Sequence, residues 1–107
     1  MLQQEIEEIL IKNLPSDTLW NVWIEITNDL SFKHWKPFNV DVKTRDILCL
    51  MELHLATHRR FLTEDDTTKE FLKFAMLTID RVMLKAQREI GMSDDKCKEL
   101  YIDITTN

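Results

Sequence analysis

Turn-forming residues are almost missing from this chain. One glycine and two prolines serve 107 residues. That is too few for a β-sandwich or barrel, whose turns recur about every 8–12 residues. Cysteine is equally scarce. Cys49 and Cys97 stand far apart, in neither a metal-binding nor a redox spacing. Cys49 lies in the apolar run Ile47-Leu48-Cys49-Leu50-Met51, where a thiol serves as a small hydrophobe. No apolar run approaches the ~18 residues of a membrane span. A surplus of positive charge is also lacking, because 19 acidic side chains outnumber 14 basic ones for a formal charge of −5. This balance disfavours a nucleic-acid binder, which needs a positive field to meet phosphates. The opening Met1-Leu2-Gln3-Gln4-Glu5-Ile6-Glu7-Glu8 has neither the basic start nor the continuous apolar stretch of a secretory signal. A cytoplasmic protein is therefore expected.

What is present suits one globular domain spanning residues 1–107. Hydrophobic residues make up 44% of the chain and charged residues 31%, a balance close to that of ordinary globular proteins. The expected fold is all-α, a small bundle of four to five helices. In the first segment Leu2, Ile6, Ile9 and Leu10 share a helical face opposite Glu5, Glu8 and Lys12. Pro15 ends it, and Ser16 or Asp17 can cap a second helix over 18–30. That second segment reads two ways. Leu19, Val22, Trp23, Ile26 and Leu30 form a helical stripe, whereas Trp20, Val22, Ile24 and Ile26 alternate as in a strand. With Phe38-Asn39-Val40-Asp41-Val42 the strand reading gives a β-hairpin in residues 18–42, hence an α+β alternative. Helix is preferred for its caps and longer stripe.

Residues 31–43 form the longest connection, with Pro37 excluding a helix interior. Thr44 is expected to cap a third helix reaching about Phe61. Thr67 and Glu70 have capping-box spacing and should open a fourth over 68–90. Gly91 follows where a left-handed stop is wanted. Ser93, Asp94 and Asp95 signal a short final helix, and the alternating tail from Tyr101 to Thr105 is expected to be extended.

Few residues offer chemistry. His54 and His58 are four apart on the third helix and should project from one face, near Ile47, Leu50, Met51, Leu55 and Leu62. A zinc site needs three or four ligands, and the stretch His-Leu-Ala-Thr-His lacks the glutamate of the metalloprotease helix. These histidines are expected at the core edge, bonded to a carboxylate or carbonyl. A metal- or cofactor-binding bundle built on them is the alternative, and no cofactor is expected. Phe32, Lys33, His34, Trp35, Lys36 and Phe38 interleave rings with positive charge. Such residues fold back to plug the end of a bundle, anchor protein interfaces or stack on unpaired bases. On the fourth helix Phe74, Leu77 and Leu84 lie beside the main apolar face, near Lys73, Arg81 and Arg88. A helix apolar around so much of its girth is central in the bundle or buried by a second subunit.

No phosphate loop, nucleophile elbow or Cys–His pairing occurs in local sequence, so no enzymatic activity is expected. The leading expectation is a small protein-binding regulator or inhibitor that occludes or bridges a larger, basic protein partner. Phage inhibitors and immunity proteins share this size and acidity, an analogy of class alone. A nucleic-acid accessory factor is the third reading, and membrane association is not expected.

Overall fold

A computed structural model describes residues 2–14, 16–30 and 40–106. Five helices follow in order: α1 (Leu2–Asn13), α2 (Asp17–Asn28), α3 (Val42–Phe61), α4 (Asp66–Ile90) and α5 (Asp94–Thr106). No strand occurs among the described residues. The chain is thus an all-α bundle. Helices α3 and α4 make the largest contact, α1 lies against both, and α2 and α5 each lean on α3.

The strand reading of the second segment fails on packing. Leu19, Val22, Trp23 and Ile26 are buried, while Ile24, which an alternating strand would bury with Val22 and Ile26, is exposed. A period of 3.6 residues wins over a period of two because it gathers the large side chains on one face. Ser16 caps this helix, accepting from the Leu19 amide at 3.5 Å. Of the proposed second hairpin strand, Phe38 and Asn39 lie outside the described residues, Val40 and Asp41 form no strand, and Val42 already belongs to α3.

Two caps differ from expectation. The cap of α3 is Asp41, whose carboxylate accepts from the Thr44 amide at 2.8 Å and the Thr44 hydroxyl at 3.0 Å. In α4 Asp65 accepts from the Thr68 amide at 2.8 Å, and the Thr67–Glu70 box does not open the helix. Glu70 instead meets Lys73 at 3.5 Å. A charged carboxylate at the N-cap satisfies free amides and the helix dipole together, which a neutral hydroxyl does less well. Both helices therefore begin earlier than expected, α3 by three residues and α4 by two.

Gly91 stops α4 with φ at +67°, in the left-handed region that side chains disfavour. The Met92 amide then returns to the Gln87 carbonyl at 3.0 Å, closing the helix end. The tail after Tyr101 is helical, not extended. Cys97, Leu100, Tyr101 and Ile104 recur at helical spacing, with Cys97 and Ile104 buried. The Thr105 and Thr106 hydroxyls return to carbonyls of the preceding turn, at 2.8 and 2.6 Å.

The core runs the length of the bundle. Trp23 is fully buried, and its indole N–H donates to Glu7 of α1 at 2.9 Å, which satisfies the one polar atom it carries inside. Outside the core Arg60 bonds Glu25 of α2 at 2.7 Å and also Glu64, holding α2 to the end of α3. The buried Thr57 and Gln87 are likewise partnered. Thr57 donates to the Leu53 carbonyl at 2.8 Å and Gln87 to Asp94 at 3.1 Å.

A candidate binding groove between three helices

The side of the bundle where α5 leans on α3 and α4 is incompletely filled. A groove of about 380 Å³ opens there, lined by Met51, His54 and Leu55 of α3 and by Asp80 and Met83 of α4. Asp94, Lys98, Tyr101 and Ile102 of α5 complete the wall. It exists because α5 points Cys97 and Ile104 into the core while Ile102 turns outward. On the opposite wall Leu55 is also turned out. Leu55 is 44% exposed and Ile102 57% exposed, so both keep apolar surface in water.

The polar side chains His54, Asp80, Asp94 and Lys98 in this groove already have partners. His54 Nε2 lies 3.4 Å from Asp80 Oδ1, linking α3 to α4. Lys98 Nζ lies 2.9 Å from Asp94 Oδ2, one turn apart on α5. Hydrogen bonds from Lys98 and then Gln87 hold the Asp94 carboxyl below its ordinary range. Burial lifts the Tyr101 phenol above its ordinary value, and the nearby Glu52 carboxylate lifts it further. With these polar groups so partnered, the groove has mainly hydrocarbon and thioether surface left to offer.

The two histidines part company. His54 sits at the core edge beside a carboxylate. His58, four residues on, is exposed and stacks on Phe61 with ring centres 6.4 Å apart. Lys69 and Lys73 reach over the same Phe61 ring at 5.4 and 6.0 Å. Of the face Ile47, Leu50, Met51, Leu55 and Leu62 on which the sequence places both histidines, Ile47, Leu50 and Met51 are buried, but Leu55 and Leu62 are exposed. Because α1, α2, α4 and α5 all pack on α3, its burial spreads over a broad arc through Leu48, Leu53 and Thr57. The His58 and Leu62 side is what those four helices leave uncovered. Among the described residues no group of three or more His, Cys, Asp and Glu is gathered to hold a metal ion.

Phe32, Lys33, His34, Trp35, Lys36 and Phe38, the stretch that the sequence singles out for partner binding, lie outside the described residues. Of the three α4 residues offered as a subunit face, Leu77 and Leu84 are 58% and 43% exposed. Phe74 is turned to a separate cleft with Asn13, Leu19 and Phe71. Both cysteines are free. Burial, with Asp46 and Glu52 nearby, pushes the Cys49 thiol up to about 12, and burial raises Cys97 as well. Neither is poised as a nucleophile.

The groove itself was not foreseen. Its signal in the sequence is the pair Met51 and Met83 on two different helices, and only their packing brings them to one place. Among the described residues no helix is long and apolar enough to cross a membrane. Comparisons of this chain with protein-family models, with curated proteins and with solved structures return no match.

Proposed function

We propose that this chain is a small non-catalytic binding protein that takes an apolar anchor of a larger protein partner into the groove between α3, α4 and α5. Occupancy then blocks or bridges that partner. The observation carrying this reading is an open apolar groove whose polar groups are internally partnered, flanked by the outward-turned Leu55 and Ile102. Exposed apolar surface around a concavity is the usual mark of a docking site. Met51 and Met83 suit the task, since unbranched thioethers adapt to varied side chains. The occupant is an amphipathic helix with leucine- or phenylalanine-sized anchors and a lysine- or arginine-rich flank. The net charge of −5 steers such a helix toward the protein and repels an acidic one.

The test is a titration of isotope-labelled protein with two synthetic helical peptides that share a leucine face, one carrying lysines opposite and the other glutamates. The lysine peptide is expected to shift the methyl signals of Met51, Leu55, Met83 and Ile102 and the glutamate peptide to leave them unchanged. Ile102→Asp together with Leu55→Asp, both at exposed positions, should abolish those shifts while preserving the helical spectrum. Trp35→Ala/Phe38→Ala separates the groove from the aromatic stretch. If that variant alone loses binding, the groove reading is wrong.

A further inference from the structure

The outer face of α4 carries a pattern that the groove shares only at Asp80. Leu77 and Leu84 are seven residues apart on one stripe, about 10 Å along the axis, and both are exposed. Between them stand Asp80 and Arg81. His54 takes one oxygen of Asp80, Oδ1, and Arg81 is exposed. Reversing this segment leaves its character unchanged. Read in either direction it is leucine, a charged pair of opposite sign, leucine.

We infer that α4 is the contact of a two-fold symmetric homodimer, in which it packs antiparallel on α4 of a second copy. In a two-fold contact each residue meets its counterpart across the axis. With the axis between positions 80 and 81, Leu77 faces the partner's Leu84 and Asp80 faces the partner's Arg81, each twice. Parallel packing would set Asp80 on Asp80 and Arg81 on Arg81. Sliding the antiparallel pair by three or four residues either way sets a leucine against Asp80 or Arg81. Only the first register matches apolar with apolar and opposite charges together. Its ends bring Lys73 toward the partner's Arg88, but Glu70 already pairs with Lys73 at 3.5 Å and Glu89 adjoins Arg88.

One helix pair covers less area than a standard stable interface, so this dimer is weak, with a dissociation constant on the order of 100 μM. Sedimentation equilibrium from about 10 μM to about 1 mM brackets that affinity. The wild-type mass should climb from 12.8 kDa toward twice that value. Arg81→Asp alone and Asp80→Arg alone each make the contact self-repelling and should remain monomeric, with unchanged far-UV spectra. Mixed one to one, the two variants are complementary again and should associate at least as tightly as wild type. Leu77→Ala/Leu84→Ala should be monomeric, while Ile102→Asp in the groove should dimerise normally. A wild type that stays monomeric to about 1 mM overturns the inference. So does a dimer that ignores either charge reversal, or a mixture no heavier than its parts.

Discussion

Helices α2 and α5 are of nearly equal length, 12 and 13 residues, and both lean on α3, yet they are held by different means. Helix α2 sends four residues into the core, among them the fully buried Trp23. Two polar ties then lock it, Trp23 to Glu7 and Glu25 to Arg60. Helix α5 buries only Cys97 and Ile104 and is joined to α4 through Gln87 and Asp94. Burial of apolar area is the main stabilising term, at about 25 cal/mol per Å², so α2 is the better seated of the two. The side closed by α2 is structure, and the side half-closed by α5 has surface to spare. A loosely seated helix beside a groove can adjust to an occupant, which a helix pinned by a tryptophan cannot.

The strongest way to break this comparison is to remove its anchors in turn. Trp23→Ala should destabilise by about 3–5 kcal/mol, much of the roughly 5–15 kcal/mol that such a domain commands. Ile104→Ala should cost less, about 2–3 kcal/mol, because α5 can collapse partly into the space. Urea unfolding of both variants measures the difference. Equal losses would mean that the two helices are equally integral. Hydrogen exchange on the wild type gives the same contrast without mutation. Amides of α5 should open by local fluctuation and those of α2 only on global unfolding.

A smaller effect tests the polar tie that distinguishes α2. Glu7→Ala leaves the buried indole N–H of Trp23 without its acceptor and should cost about 1–2 kcal/mol. Glu7→Gln keeps an oxygen in place and should cost less. If both substitutions are silent in urea, the bond at 2.9 Å adds nothing to the seat of α2.

The same contrast separates what the residues announce from what they do not. The helical stripe of α2 was legible because Leu19, Val22, Trp23 and Ile26 all serve one buried face. Gly91 was legible because a left-handed stop admits little else. The start of α4 was misread although its cap follows a pattern that occurs twice, Asp41-Val42-Lys43-Thr44 and Asp65-Asp66-Thr67-Thr68. In each the aspartate accepts from the amide three residues on, and reading the two stretches together would have found both caps. The tail was misread because Tyr101, Ile102 and Ile104 fit either period, and Cys97 and Leu100 decide it only once α3 is there to pack on. The groove is legible in no single segment, since its walls come from three helices. Periodicity shows which residues a helix buries, not how completely its neighbours cover them.

The smallest predicted effect concerns acid. The Asp94 carboxyl lies below its ordinary range because Lys98 and Gln87 bond its charged form. Asp41 and Asp65 lie below theirs through the Thr44 and Thr68 amides. A carboxyl depressed in the folded state contributes fully above its unfolded value, near pH 4, and loses that contribution as pH falls through the folded value. Two of the three depressed groups begin α3 and α4, which the core also holds. Asp94 begins α5, which sends only Cys97 and Ile104 into the core. Protection of α5 amides, corrected for intrinsic exchange, should therefore decline between about pH 4 and pH 2 ahead of that of α2. In Asp94→Asn, with no carboxylate to protonate, protection of α5 should start lower at neutral pH and change less on acidification. If the decline in Asp94→Asn matches wild type, the seat of α5 does not depend on this carboxylate, and its weaker hold must come from its sparse burial alone.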